Sequence, residues 1–328
     1  MATRPATKAG QWYLGDAREL SDQLDGFLAA VPETINESSL PVRGARLVIA
    51  PHAGYEYSGD CAAWAYRCLD LGGAERIFVL GPSHTYYLEG CAATTFAKYA
   101  TPFGDLAVDG ETVGRLKRAG AMADMPRANE EREHSLEMHM PYLYKCCQRA
   151  LGPAAAPDAF PRIVPLLVGD LDGPGEKAVG RLLLPYLRDP ANVFVVSSDF
   201  CHWGASFRYL VYAADAGLAR LETLGRLDPA PAGPPIHESI RWLDEAAMAA
   251  VESGRHDAFV ANLQRTKNTV CGRHPIGVAM AALELLAAEA GAADGSTHRF
   301  RVVRYDRSNL VKEPSDYSVS YVSAYAVL

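Results

Sequence analysis

The sequence predicts an α/β fold, a mostly parallel central sheet flanked by helices on both faces. Short apolar runs rich in Val and Ile, bounded by Gly, Pro or Ser, alternate with longer amphipathic stretches. A run that is apolar at every position suits a strand covered on both sides, and strand–helix alternation is the pattern of parallel βαβ units. Size agrees: 328 residues, 49% of them hydrophobic, can bury a substantial core.

The predicted buried strands are Arg46–Ala50 (RLVIA), Arg76–Leu80 (RIFVL), Arg162–Val168 (RIVPLLV) and Asn192–Val196 (NVFVV). Helical patterning covers Asp60–Leu71, Glu111–Ala119, Ser135–Ala150 and Glu176–Leu187. Later helices are expected over Phe207–Leu224, Glu238–Ser253 and Pro275–Ala290. His298–Tyr305 and Tyr317–Val327 alternate polar and apolar residues and are expected to pair as antiparallel edge strands. Gly152–Pro161 and Asp228–Pro235 read as surface loops. Neither brings a change of composition that would mark a linker, so residues 1–328 are expected to form one domain.

Lysine and arginine number 32 against 39 Asp and Glu, a net charge of −7, which argues against a general nucleic-acid surface. No stretch approaches the roughly 18 apolar residues of a membrane span. The best, Pro275–Ala293, is broken by Glu284 and Glu289. The first residues, MATRPATKAGQWYLGD, contain no apolar signal core. Seven cysteines in irregular spacing point to reduced thiols and a cytoplasmic protein, with the nucleus also open to it.

The histidines carry the functional signal. RLVIA runs into Pro51-His52, RIFVL into Gly81-Pro82-Ser83-His84, and NVFVV into Ser197-Ser198-Asp199-Phe200-Cys201-His202. In open α/β sheets ligands bind outside the carboxyl ends of the strands. A single loop histidine is as readily explained by a local hydrogen bond. Three strands delivering His52, His84, Asp199 and His202 to one edge favour a shared site, with His52 and His84 the natural metal-ligand pair. Cys271 directly precedes a helix start marked by Pro275; the helix dipole and Arg273 both favour its thiolate, making it a reactive thiol or soft ligand. The segment Glu133-His134-Ser135-Leu136-Glu137-Met138-His139 is spaced H-x-x-E-x-H, which is not a zinc-protease signature. His134 and Glu137 are expected to support the site or face a substrate, and His139 to be internal. Cys61, Cys68, Cys91, Cys146, Cys147 and Cys201 read as space-filling residues, and His237, His256 and His298 as surface residues.

Together these clusters resemble the Memo family. The resemblance is carried by Ala9–Tyr13 (AGQWY), Ile49–Tyr55 (IAPHAGY), Leu80–His84 (LGPSH) and Glu133–His139 (EHSLEMH). It continues through Val195–Gly204 (VVSSDFCHWG), Cys271–Gly277 (CGRHPIG) and Ser318–Tyr321 (SVSY). The Asp228–Pro235 loop looks different from the family. The resemblance implies a fold like that of class III extradiol dioxygenases, which use non-haem iron. It matches His52 and His84 to the two histidine ligands and His202 to the acid/base histidine. Cys271 stands where those enzymes have a carboxylate ligand, which puts ring cleavage in question and makes the site softer. The resemblance further implies a metal centre of iron or copper, with zinc also acceptable to the donors, and redox activity. It also implies a signalling role in cell motility and a phosphotyrosine-type peptide or signalling protein as partner. Asp199, His134, Glu137, Tyr55, Ser83, Arg273 and His274 are then expected around the pocket.

Overall fold

The run Asn192–Ser197 is buried at all of its positions, and its place in the sheet is the reason. The computed structural model describes residues 2–120, 122–152, 154–291 and 297–328. The strands of its central sheet are β1 (Ala45–Ala50), β2 (Arg76–Pro82), β3 (Cys91–Ala93), β4 (Met122–Asp124) and β5 (Arg162–Val168). They continue with β6 (Asn192–Ser197), β7 (Asp199–Trp203), β8 (Arg301–Arg307) and β9 (Ser318–Val327). Their order across the sheet is β7-β9-β1-β6-β2-β5-β3-β4, with β8 also paired to β9. The central four, β1, β6, β2 and β5, are mutually parallel. β7, β8 and β9 pair antiparallel on one flank, and β3 is antiparallel to β5 on the other. Phe78 and Phe194, in register on β2 and β6, stack with ring centroids 4.6 Å apart.

The helices are α1 (Ala17–Ala30), α2 (Tyr55–Cys68), α3 (Gly110–Arg118), α4 (Arg127–Arg132) and α5 (Met140–Leu151). After them come α6 (Gly173–Arg188), α7 (Ile236–Glu252), α8 (His256–Thr266) and α9 (Arg273–Ala290). The crossovers β1-α2-β2 and β5-α6-β6 travel in opposite directions along the sheet, so right-handed connections put α2 and α6 on opposite faces. α2 packs on β1, β9 and α1, while α6 packs on α9. This direction change places β6 between β1 and β2. The loops after those three strands, which carry His52, His84 and Asp199, therefore leave adjacent strand ends.

Several elements differ from expectation. Phe207–Leu224 is not a helix: it holds a hairpin of Val211–Ala213 with Leu221–Thr223. Arg208 and Leu218 there have φ of 56° and 54°, which a helix cannot include. The helix expected from Ser135 begins only at Met140, after a 3₁₀ turn over Glu137–His139, because Ser135 is drawn away to Pro82 O (2.7 Å). β9 is interior: Ala324 and Tyr325 pair with β8 across one edge and with β1 across the other. Helices α1, α4 and α8 lie where none is predicted. His256, expected at the surface, is 0% exposed. Asp228–Pro235 contains no helix or strand, as expected. Of Gly152–Pro161, Pro153 lies outside the described residues, as do Ala292 and Ala293 of the long apolar run. No described helix is long and apolar enough to cross a membrane.

Arg4 ties the amino terminus to the segment between α4 and α5. The short strand Thr3–Arg4 pairs with Lys98–Tyr99, leaving the Arg4 guanidinium 1% exposed. It donates to the carbonyls of Glu130 (2.9 Å) and Glu133 (2.6 Å) and to Glu137 Oε2 (2.7 Å). Breaking a buried pair leaves an uncompensated charge, which costs about 3–5 kcal/mol. Arg4→Met is accordingly expected to lower the unfolding free energy by about that amount in a urea titration.

Candidate metal centre

Each imaginable ligand atom depends on which ring nitrogen carries the proton, and here the neighbours decide it. Ser197 Oγ donates to Ser135 O (2.6 Å), so it can only accept from His52 Nδ1 at 2.6 Å. His52 therefore carries its proton on Nδ1 and presents the Nε2 lone pair. His84 Nδ1 lies 2.9 Å from Glu133 Oε1, a carboxylate acceptor, so its Nε2 is free in the same way. His202 Nδ1 faces the carbonyls of Phe200 (2.8 Å) and Thr269 (3.1 Å), which accept only, and its Nε2 is free as well. A donated ring N–H with the opposite nitrogen left as a ligand is the arrangement that supporting groups impose on metal-bound histidines.

Cys271 completes the constellation. Its Sγ is 3.2 Å from His52 Nε2 and accepts from Asp199 N–H at 3.2 Å. Ligand atoms of His52, His84 and Cys271 all lie within 4.8 Å of one another, as do those of Asp199, His202 and Cys271. Gly272 fixes the approach: a Cβ there would sit 2.3 Å from Ser197 O, so only glycine lets the α9 amino terminus close against the end of β6. Asp199 Oδ1 accepts the backbone N–H of His52 (2.9 Å), and Oδ2 stands 3.9 Å from His52 Nε2.

Burial disfavours charge on His52, His134, Cys271 and Asp199. Burial, reinforced by the imidazoles of His84 and His134, holds His52 well below its ordinary pKa. Burial and His84 lower His134 to about 3. Burial beside Asp199 pushes the Cys271 thiol up, and burial also raises Asp199. Glu133 goes the other way: burial opposes its ionisation, but hydrogen bonding and charge from His84 and the charge of His134 outweigh it and hold the carboxyl at about 2.

The remaining expected pocket residues divide. His134 belongs to the cluster, its ring stacked on His84 (4.4 Å) and close to Trp12 (4.4 Å). Ser83, Arg273 and His274 line a cavity of about 250 Å³ together with Cys271, Tyr86, Tyr87 and Asp170. Glu137 does not serve the site. Its oxygens are taken by Arg4, Thr7, Lys8 N and Tyr13, because the 3₁₀ turn points it at the amino-terminal segment. Tyr55 is also withdrawn: its ring packs against Tyr13 and Tyr142 and its hydroxyl donates to Met138 O. The supporting carboxylate is Glu133, which also accepts from His84 N, His134 N and Ser135 N. Its sequence signal was its position directly before His134, just ahead of the helix expected from Ser135. The six other cysteines are free and buried.

Two of the lowered pKa values bear directly on the acid behaviour. His134 changes from near 6.5 unfolded to about 3 folded, so its neutral form stabilises the fold above pH about 6.5 and that contribution is lost as pH falls. Glu133, at about 2, acts in the same direction at lower pH. In metal-free protein, urea midpoints are expected to fall from about pH 6.5 downward, and His134→Gln is expected to flatten the first part of that fall.

Residues 4–325 match the family described as Memo-like protein. The chain is 38% identical over 321 residues to the memo-1 homolog protein of Caenorhabditis elegans, covering 98% of this chain and 81% of that one. It is 39% identical over 320 residues to Protein MEMO1 of Homo sapiens and of Mus musculus, covering 98% of this chain and 96% of each relative. A solved structure of an uncharacterized protein from Escherichia coli K12 aligns at 14% identity with a TM-score of 0.47, over 85% of this chain and 98% of that one. With a family match across almost its whole length, the chain belongs to the Memo family.

Proposed function

We propose that the chain is a single-domain, metal-binding redox protein of the Memo type, with His52, His84 and Cys271 as ligands in a pocket like that of class III extradiol dioxygenases. The observation that carries this reading is the shared tautomer: supporting acceptors hold the Nδ1 protons of His52, His84 and His202 and leave their Nε2 atoms as lone-pair donors, that of His52 3.2 Å from Cys271 Sγ, with a ligand atom of His84 and one of His202 within 4.8 Å of that sulfur. The donor set of imidazole and sulfur suits copper or iron and accepts zinc. A bound iron or copper ion would supply one-electron chemistry. The chain's own part is to surrender the Cys271 proton on binding, hold His52 and His134 neutral by burial, and keep His202 as an acid/base group. A thiolate in place of a carboxylate favours electron transfer over ring cleavage and leaves an oxidisable sulfur in the site. A role in motility signalling within the cytoplasm or nucleus fits such a redox-sensitive centre.

A second reading is an active extradiol-type dioxygenase, favoured by the free Nε2 of His202. A third is an adaptor for phosphotyrosine-type peptides, favoured by a groove of about 550 Å³ lined by Trp12, Tyr57, Tyr317 and Tyr321 beside Ala53 and Gly54. Peptide binding that survives complete metal removal would distinguish the third from the first.

Elemental analysis of reduced, anaerobically purified protein tests the main reading. Wild type is expected to retain iron or copper near one equivalent, and His52→Ala and Cys271→Ser to lose most of it, since loss of a ligand costs affinity by an order of magnitude or more, as even supporting residues do at about 10–100-fold. Equal content in all three proteins overturns the assignment.

A further inference from the structure

Tyr66 and His139 form a buried pair that the proposed metal centre does not use. Tyr66 is 3% exposed and His139 1%, and the Tyr66 hydroxyl lies 2.6 Å from His139 Nδ1. His139 Nε2 has no hydrogen-bond partner. Were Nδ1 the donor, the Tyr66 hydroxyl proton and the Nε2 lone pair would both go unmet. With Tyr66 donating, only the Nε2 proton does, so Tyr66 donates and His139 accepts. A phenol whose proton already points at a nitrogen base is arranged to lose an electron and that proton together.

Tyr66 is also the last ring of a chain that begins at the cluster. His134 stacks on His84 with centroids 4.4 Å apart, and Trp12 meets His134 at 4.4 Å. Tyr13, the next residue after Trp12, meets Tyr55 at 5.4 Å. Tyr55 meets Tyr142 at 5.3 Å, and Tyr142 stacks on Tyr66 at 4.5 Å with an interplanar angle of 6°. Each is an ordinary aromatic packing distance, short enough for an electron to hop between oxidisable rings. Tyr55 and Tyr142 donate to the carbonyls of Met138 and Gly59, which take no proton. Only the two ends of the tyrosine run face bases, Glu137 at Tyr13 and His139 at Tyr66. Beyond it, Tyr66 lines a cavity of about 470 Å³ with Arg67, Arg149 and Asp70. The Asp70 oxygens accept from Gly44 N and Gly72 N, while Arg149 is exposed and favours an anion there.

Building on the redox reading above, we propose that these rings are an electron relay, with Tyr66 a redox-active tyrosine linking the cluster to an anionic reductant in this cavity. A strong one-electron oxidant at the cluster, of the kind a redox metal ion generates from peroxide, takes one electron through the rings. Tyr66 supplies it, and its O–H proton crosses to His139 Nδ1, leaving a neutral phenoxyl radical beside an imidazolium. The reductant then returns one electron, and His139 returns the proton. Burial holds His139 down to about 3, yet a phenol that has lost an electron is a far stronger acid than an imidazolium.

The test needs no metal, so a failure of the metal assignment and a failure of the relay are told apart. A ruthenium polypyridyl photo-oxidant is attached through Gln11→Cys, an exposed position beside Trp12. The full metal-free chain also carries Cys271→Ser and ¹⁵N-histidine; the six other cysteines are buried. After flash oxidation, freeze-trapped electron paramagnetic resonance is expected to show a tyrosyl radical coupled to a histidine nitrogen. Tyr66→Phe should lose that coupled signal, and so should Tyr142→Phe, whose ring still packs but does not oxidise. Ascorbate should erase the signal, and more slowly with Arg149→Glu. No tyrosyl radical, one without histidine coupling, or a coupled signal that persists in either tyrosine variant overturns the proposal. A decay indifferent to ascorbate or to Arg149→Glu overturns the place given to the reductant. Should Tyr66→Phe fail to fold, the histidine coupling and Tyr142→Phe still decide.

Discussion

The structure depends on one constraint: what each imidazole donates its Nδ1 proton to. Ser197, committed to a backbone carbonyl, fixes His52; Glu133 fixes His84; the carbonyls of Phe200 and Thr269 fix His202. A buried imidazole without such an acceptor would be free to turn, and its lone pair would have no assigned direction. With them, three lone pairs have assigned directions, and burial disfavours charge on His52 and on the Cys271 thiol.

The fold supplies the acceptors as much as the ligands. Insertion of β6 between β1 and β2 brings the three strand ends together, and it also places Ser197 at the point where His52 needs it. Glu133 is held from outside the sheet. Arg4, buried beneath the α4–α5 segment, fixes the backbone of Glu130 and Glu133 and absorbs the charge of Glu137. An interaction near the chain's first residues therefore reaches the site through the backbone of Glu133, whose carboxylate touches an imidazole of the cluster.

What the sequence disclosed follows from which signals are local. His52, His84 and Asp199 were legible because buried parallel strands appear as unbroken apolar runs, and their ends can be counted. Cys271 was legible because Pro275 marks a helix start. Glu137 was expected at the site and Glu133 was given no role, since the choice depends on a helix beginning at Met140 and not at Ser135, and a tertiary hydrogen bond of Ser135 decides that. Tyr55 sits in the motif nearest His52, yet its ring turns into the core as the first residue of α2. His256 looked like a surface residue because its partner, Glu176, is 80 positions away. The hairpin within Phe207–Leu224 was hidden by helix-like composition that two positive φ values override. Long-range partners, not local pattern, set each of these.

The central claim is that Cys271 sulfur and imidazole Nε2 atoms bind one ion together. X-ray absorption on the zinc-loaded full chain addresses it directly. The account predicts a sulfur shell at about 2.3 Å beside imidazole nitrogen at about 2.0–2.1 Å, with the sulfur shell lost in Cys271→Ser. A first shell of nitrogen and oxygen alone, unchanged by that substitution, would contradict it.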